Sequence, residues 1–358
     1  MDAYSARAAY TVLAYPSNMY AAPMGPKSGQ SLGELALIAG IRRRAGRPGS
    51  ALRLGIGDDC ALIRLKPHEE LAVTTDLSVA GRHFRHDWHQ PEAVGHRALA
   101  RGLSDLAAMG AKPVAAFLSL GLPQELTRSR RGKSWADRFF DGFFALAGRY
   151  KTPLAGGDLC QSPVAMADIV LLGAVPRGKA LLRSGARSGD LLCVTGTLGG
   201  AAASLEELAR LAAKRHGAPP RLSPRQEILL ARHLTPDPRL AQGQWLRAHK
   251  ATAAIDLSDG LSTDLAHLCE ESRVAAEIDA EFVPLAPGAT LAQALHGGED
   301  YELLFTAPAA AKLPRSIAGV PLTCIGRIVP ARKGRPMVTL RTGSKGEPLA
   351  PAGWQHFA

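Results

Sequence analysis

Six short segments set carboxylates beside glycine, serine or threonine. They are Gly55-Ile56-Gly57-Asp58-Asp59, Thr74-Thr75-Asp76, Leu103-Ser104-Asp105, Gly156-Gly157-Asp158, Asp256-Leu257-Ser258-Asp259-Gly260 and Gly297-Gly298-Glu299-Asp300. Most of them follow or interrupt apolar stretches, so the carboxylates are expected at strand ends and turns, where small neighbours let the backbone approach a ligand. Asp oxygens with few His or Cys partners suit a hard cation. Magnesium in particular bridges one or two carboxylates to substrate phosphates. Any one of these pairs is ordinary turn chemistry. Together they point to metal-dependent phosphoryl transfer.

Two further motifs carry less. Gly173-Ala174-Val175-Pro176-Arg177-Gly178-Lys179-Ala180 has P-loop spacing through its lysine. Ala180, however, stands where a magnesium-binding hydroxyl is required, and Pro176 stiffens a loop that would have to wrap phosphate. His83, His86 and His89 recur at three-residue spacing. Neither a helix nor a strand turns all three to one point, so a zinc site is not expected, although one of them can still touch substrate.

These residues need elements to hold them. Residues 32–44 place apolar side chains at helical spacing and end in arginines, which predicts a helix. Residues 71–79, 114–122, 169–175 and 191–195 are short, aliphatic and bounded by Gly, Pro or Asp, which predicts strands. Residues 91–109 and 134–150 predict helices, the first stopping at Gly110. Asp105 falls inside that apolar helix, where a carboxylate is costly unless paired or bound to metal. A junction is expected at residues 183–189. Beyond it come a strand to Thr195, a Gly-rich turn at 196–200, an Ala- and Leu-rich helix, a Pro-rich loop at 218–224, and a helix opened by Asp259 to Asp264. The pattern is mixed α/β in two halves.

Composition excludes several classes. Net charge is +11, but the basic clusters at residues 42–44, 128–133 and 332–335 lie far apart, and aromatics are only 5% of the chain. Without aromatic residues to stack bases, nucleic-acid binding is not expected, and polyphosphate substrates account for part of the basic balance. No apolar run reaches membrane-spanning length. The first 25 residues lack a basic start and a continuous apolar core, which reads as a disordered tail or an overlong start rather than a secretory signal. Cys60, Cys160, Cys193, Cys269 and Cys324 are odd in number and widely spaced, so a reducing, cytoplasmic compartment fits.

An ordered set of segments resembles the thiamine-monophosphate kinase family. It comprises GIGDDCALI from Gly55, TTDLSVAGRHF from Thr74, LSDLAAMGAKP from Leu103, AGGDLC from Ala155, LLRSGA from Leu181, DLSDGLSTDL from Asp256, HGGEDYELLF from His296 and GWQHF from Gly353. The match covers residues 31–357, and its GGEDYEL and GWxHF pieces set this kinase apart within the wider aminoimidazole-ribonucleotide-synthetase-like superfamily. Selenophosphate synthetase, a relative there, would need a reactive Cys or selenocysteine near its N-terminus, and residues 1–59 contain none.

The resemblance implies an α/β fold of two AIR synthetase-like domains, residues 31–180 and 181–358, after an extension at 1–30. It also implies a homodimer built on the N-terminal sheet, and direct transfer of the ATP γ-phosphoryl group to thiamine monophosphate with several magnesium ions. By position it implies that Asp59, Thr74, Thr75, Asp76, Asp105, Asp158, Asp256 and Asp259 bind metal, Thr74 mainly through its backbone. Asp76, Asp105 and Asp259 are the expected catalytic set. Gly157, Asp158, Arg183 and Ser258 are expected at ATP, and His83, Glu299 and Trp354 at the acceptor. Arg82, where a smaller residue is common, and the N-terminal extension depart from the family pattern. The alternatives are another ATP-dependent synthetase of the superfamily, or a catalytically silent magnesium-nucleotide binding protein.

Overall fold

The computed structural model describes residues 34–45, 51–56, 60–129, 132–214 and 218–354. The extension at 1–30, Asp59 and residues 355–358 fall outside that set.

Helix α1 (Glu34–Ala45) and a small hairpin of β1 (Leu52–Leu54) and β2 (Leu62–Ile63) come first. Next come β3 (Glu69–Val79), α2 (Pro91–Ala108), β4 (Lys112–Leu122), α3 (Trp135–Arg149), β5 (Leu154–Gln161) and β6 (Met166–Pro176). Their strands form a four-stranded sheet in the order β3-β6-β4-β5, in which β4 and β5 run parallel. The predicted helices and strands of this half all form, with ends shifted by at most three residues.

The second half contains β7 (Leu191–Thr195), α4 (Gly200–Ala212), α5 (Pro224–Leu234), α6 (Leu240–Ala248), β8 (Ala253–Asp256), α7 (Leu261–Ser272) and β9 (Val274–Asp279). It continues with α8 (Leu291–His296), β10 (Leu303–Ala307), β11 (Ser316–Ile317), β12 (Val320–Pro330), β13 (Val338–Thr342) and β14 (Lys345–Pro348). Its sheet has the order β14-β13-β9-β12-β7-β10-β8, with β11 paired to β12. Cys193 and Cys324 stand opposite each other on β7 and β12 and are joined by a disulfide, a pairing hidden by 131 residues of separation. The odd number and wide spacing of the cysteines, which fit a reducing compartment, do not announce this bond.

Helix α2 is the hinge of the arrangement, because it packs on β3 and β6 of one sheet, on β8 of the other and on α3, α5 and α6. Pro91 starts it at a position where its missing N–H costs nothing. Gly95 and Gly142 let α2 and α3 touch closely, since a Cβ on Gly95 would fall 1.9 Å from the Phe139 carbonyl oxygen. Ser134 and Asp137 close a reciprocal capping box on α3, whose Phe139, Phe140 and Phe143 are buried against Leu99 and Leu103 of α2. Burying each such side chain stabilises the fold by roughly 1.5–3 kcal/mol.

β3 pairs with β6 without a slip, from Glu69 opposite Pro176 to Val79 opposite Met166. Alternation therefore turns Thr74, Asp76 and Ser78 toward α2 and leaves Leu71, Val73, Thr75 and Leu77 on the exposed face. Among the described residues no helix is long and apolar enough to cross a membrane.

Candidate active site

On α2, a helix otherwise buried, Arg97, Arg101 and Asp105 recur every four residues and so form one polar stripe. The stripe meets β3 on one side and the end of β8 on the other. Thr74 Oγ1 donates a short hydrogen bond to Asp105 Oδ2. Arg101 pairs with Asp76 at 2.6 Å and donates to Ser78 Oγ at 3.2 Å. Ser104 Oγ donates to Asp256 Oδ2 at 2.7 Å, where Asp256 ends β8 in full burial. Asp76, Asp105 and Asp256 thus approach one another from three elements.

Their electrostatics follow from that burial. Asp76 is pushed up to about 6 by burial, partly offset by Arg101. Burial also raises Asp105, against the Thr74 hydroxyl and the charges of Arg183 and Arg101. Asp256 is raised well above the carboxylate range, first by burial and then by the charge on Asp105. These groups carry more negative charge than the protein around them neutralises, and so fit a site for cations.

The second half supplies the rest of the wall. Asp264, in the first turn of α7, accepts the backbone N–H groups of Asp259 and Gly260 at 3.1 and 3.0 Å and thereby shapes the Ser258-Asp259 loop. Burial, then the Asp259 charge, pushes Asp264 up to about 7. The Trp354 N–H donates to the Asp259 carbonyl at 3.1 Å, and Gly353 N–H to Thr263 Oγ1 at 3.0 Å, so the C-terminal segment is pinned over the start of α7. Glu299 receives Arg97 at 2.5 Å and lies 3.2 Å from His233 Nδ1. Burial alone would raise its pKa, but Arg97 and His233 hold it well below the usual carboxylate range.

A cavity of about 670 Å³ joins these groups: Asp76, Asp105, Asp256, Ser258, Asp259, His83, Glu299 and Trp354 all line it. Thr74 reaches it through Asp105. Thr75 does not, because it points to the exposed face of β3. Gly157 and Asp158 do not either: they sit on β5, three strand spacings or roughly 14 Å from β3. Arg183 lies exposed in a short turn and acts on Asp105 and Asp256 through its charge.

The expectation that the carboxylates emerge at strand ends and turns holds for Asp256, Asp259, Glu299 and Asp300 and fails for Asp76, Asp105 and Asp158, while Asp58 and Asp59 lie outside the described residues. Asp76 and Asp158 lie within strands and Asp105 within a helix. α2 brings its own polar stripe to the sheet, so a strand residue reaches the cleft without the strand having to end. Sequence reasoning also missed Arg97, Arg101 and His233, although charges at every fourth position of an apolar helix were a readable signal. The P-loop-like segment forms no cradle: β6 runs on to Pro176, and the Gly178 N–H donates to Glu70 Oε2 at 3.0 Å. The three spaced histidines diverge, His83 accepting the Val79 N–H, His86 meeting Trp135 and His89 meeting His233.

Comparison with known proteins identifies the family. The AIR synthase related protein N-terminal and C-terminal domains match residues 57–178 and 187–339. The chain is 40% identical to Escherichia coli (strain K12) thiamine-monophosphate kinase over 343 residues, covering 91% of this chain and 98% of that protein. The thiamine-monophosphate kinase structure from Stenotrophomonas maltophilia K279a superposes with a TM-score of 0.74 at 38% identity, covering 89% of this chain and 99% of that one. A structure of AaThiL complexed with AMPPCP and TMP superposes with a TM-score of 0.69 at 32% identity, covering 91% and 97% of the two chains. With both domain matches in order and relatives of this identity spanning nearly its whole described length, the chain belongs to the thiamine-monophosphate kinase family of AIR synthase related proteins.

Proposed function

We propose that the chain transfers the γ-phosphoryl group of ATP to thiamine monophosphate, yielding thiamine diphosphate and ADP. The observation that carries this reading is the single cavity that Asp76, Asp105, Asp256 and Asp259 share with His83, Glu299 and Trp354. The acceptor is a phosphate monoester, ionised near neutral pH, so no general base is needed. The obstacle is charge: two unit charges about 4 Å apart repel by roughly 4 kcal/mol at an effective dielectric constant near 20.

The donor set fits magnesium. It consists of oxygens, and burial raises the pKa of Asp105 and Asp256, whose direct hydrogen-bond partners are the neutral hydroxyls of Thr74 and Ser104. Among the described residues no three His, Cys, Asp or Glu side chains converge into a ready cage. Magnesium does not require one, since it keeps waters and takes one or two carboxylates together with substrate phosphates. Asp76, Asp105, Asp256 and Asp259 would hold it, with Thr74, beside Asp105, as a further ligand we propose; Asp59 lies outside the described residues, and Thr75 and Asp158 stand away from this cavity. Bound there, it would neutralise and align the phosphates of both substrates.

The chain's own residues do the remaining work. Arg183, whose rigid fork suits phosphate, and Ser258 contact the nucleotide, while Gly157 stands away from this cavity. Trp354 offers an aromatic plane, and Glu299 a carboxylate, to the cationic thiazolium ring. Residues 31–180 and 181–358 act as the two domains that close on this site.

A coupled ADP-release assay tests the reading. Turnover is expected with thiamine monophosphate and not with unphosphorylated thiamine or aminoimidazole precursors; turnover of either of the latter alone would refute it. In the same assay Trp354→Ala is expected to raise the KM for thiamine monophosphate about tenfold, the loss of roughly 1–2 kcal/mol of cation–π contact, with the KM for ATP nearly unchanged.

We also infer a homodimer. β3 is an edge strand of its sheet, and its outer face exposes Leu71, Val73 and Leu77 at alternate positions, with 47%, 56% and 47% of their surfaces accessible. An apolar edge of this kind is a pairing surface unless covered. Light scattering should find a dimer, and Val73→Asp a monomer; a monomeric wild type would remove this inference.

A further inference from the structure

Glu299 is gripped from behind by two buried residues of different helices. Arg97, on α2 and 4% exposed, donates Nη2 to Glu299 Oε1 and Nη1 to the His233 carbonyl, each at 2.5 Å. His233, on α5 and 2% exposed, sets Nδ1 at 3.2 Å from Glu299 Oε2. Behind it, His233 Nε2 and His89 Nε2 are 2.9 Å apart, so one of the two must donate.

The backbone decides which. The Arg85 N–H points at His89 Nδ1 at 3.1 Å, whereas the Arg85 carbonyl, 3.2 Å from the same nitrogen, already accepts the backbone N–H groups of Trp88 and His89. His89 Nδ1 is therefore the acceptor, and its proton sits on Nε2. His233 Nε2 accepts that proton's hydrogen bond, which leaves the His233 proton on Nδ1, aimed at Glu299. Arg97 Nη1 also lies 3.2 Å from His233 Nδ1, but its much shorter bond is to the His233 carbonyl at 2.5 Å, and the reverse order would leave the Arg85 N–H without an acceptor and turn a His233 lone pair toward the Glu299 anion.

We propose that Arg97, His233 and His89 are positioning residues, a directed hydrogen-bond relay that fixes Glu299 as an oriented anion for the cationic acceptor. The relay rests on the reading of Glu299 as an acceptor contact. Two independent features accord with it. Glu299 holds φ +68° and Tyr301 φ +50°, left-handed backbone that non-glycine residues adopt only where the surroundings impose it. Both histidines are also pushed toward the neutral form: burial first and the Arg97 charge second lower His233, and the same two causes with the His233 charge bring His89 down to about 3.

The test uses full-length protein labelled with 15N at histidine. The spectrum should contain a neutral Nδ1–H histidine from pH 5 to 8 that disappears in His233→Gln; an Nε2–H tautomer at His233 would overturn the relay. In kinetics, Arg97→Gln should raise the KM for thiamine monophosphate at least about tenfold and the KM for ATP less than about twofold, as expected for loss of a charged hydrogen bond to one substrate's contact. Arg97→Lys should recover most of that loss. Parallel rises in both KM values, or none, would reduce the residues to support of the fold. A wild type that turns over no thiamine monophosphate would instead defeat the proposed function, and the tautomer result would still stand or fall by itself.

Discussion

Replacing Asp105 with asparagine should lower turnover by about a thousandfold or more and leave the protein folded. Cation-mediated charge stabilisation supplies several kcal/mol in phosphoryl transfer, and each 1.36 kcal/mol is a factor of ten. Asp105 sits on the helix that joins both halves, with a neutral threonine hydroxyl as its direct hydrogen-bond partner and the buried Asp256 charge nearby. Asparagine keeps the shape and one acceptor oxygen but removes the charge. The consequence for stability has the opposite sign. The folded-state pKa of Asp105 lies above its unfolded value, so the folded protein resists its ionisation, and the stability tied to its proton is lost as pH rises above about 4. Without divalent cations, the melting temperature of Asp105→Asn should therefore equal or exceed that of wild type near pH 7, with the gap closing toward pH 4. Activity above about a tenth of wild type at modest magnesium would sink the assignment. A large fall in melting temperature would show that the residue serves the fold.

Asp105 and Arg97 are both readable as charges inside an apolar helix; what each of them meets is a matter of range. A carboxylate inside an apolar, helix-periodic run is a local anomaly, readable from residues 91–109 alone. The partners of Arg97, by contrast, lie 136 and 202 residues away, and nothing local announces them. Strands and helices were legible for the same local reason, since apolar periodicity and punctuation by Gly, Pro and Asp set them. Which face of a strand meets the site was not. Thr74-Thr75-Asp76 reads alike in either direction, and only the packing of α2 shows that Thr74 and Asp76 turn inward while Thr75 turns out. The disulfide between Cys193 and Cys324 depends likewise on β7 and β12 becoming neighbours, which no spacing rule foretells. Gly157-Asp158 was legible as a motif, but its place on the far edge strand separates it from the cavity that the other motifs share.

The Gly-Gly-Glu-Asp-Tyr-Glu segment divides its labour, and replacing Glu302 with alanine should expose the division. Glu302 is fully buried, takes Arg239 through two hydrogen bonds of 2.6 Å, takes Arg232 at 3.1 Å and accepts Thr195 Oγ1 at 2.7 Å. Removing it strands the Arg239 guanidinium in the interior, and breaking a buried pair in this way costs about 3–5 kcal/mol. Two residues earlier, Asp300 accepts the N–H groups of Gly199 and Ala201 at 2.6 and 3.0 Å and so anchors the start of α4, also a structural task. Glu299 alone of the three acids lines the cavity. Glu302→Ala should accordingly lower the denaturation midpoint sharply while any folded fraction keeps a near-normal KM for both substrates. Glu299→Gln should also lower the midpoint, because it leaves the buried Arg97 guanidinium without its counter-charge, but unlike Glu302→Ala it should weaken acceptor binding in the folded protein. If Glu302→Ala instead melts like wild type and raises one KM selectively, the buried cluster is part of the binding machinery and the boundary between scaffold and site runs through it.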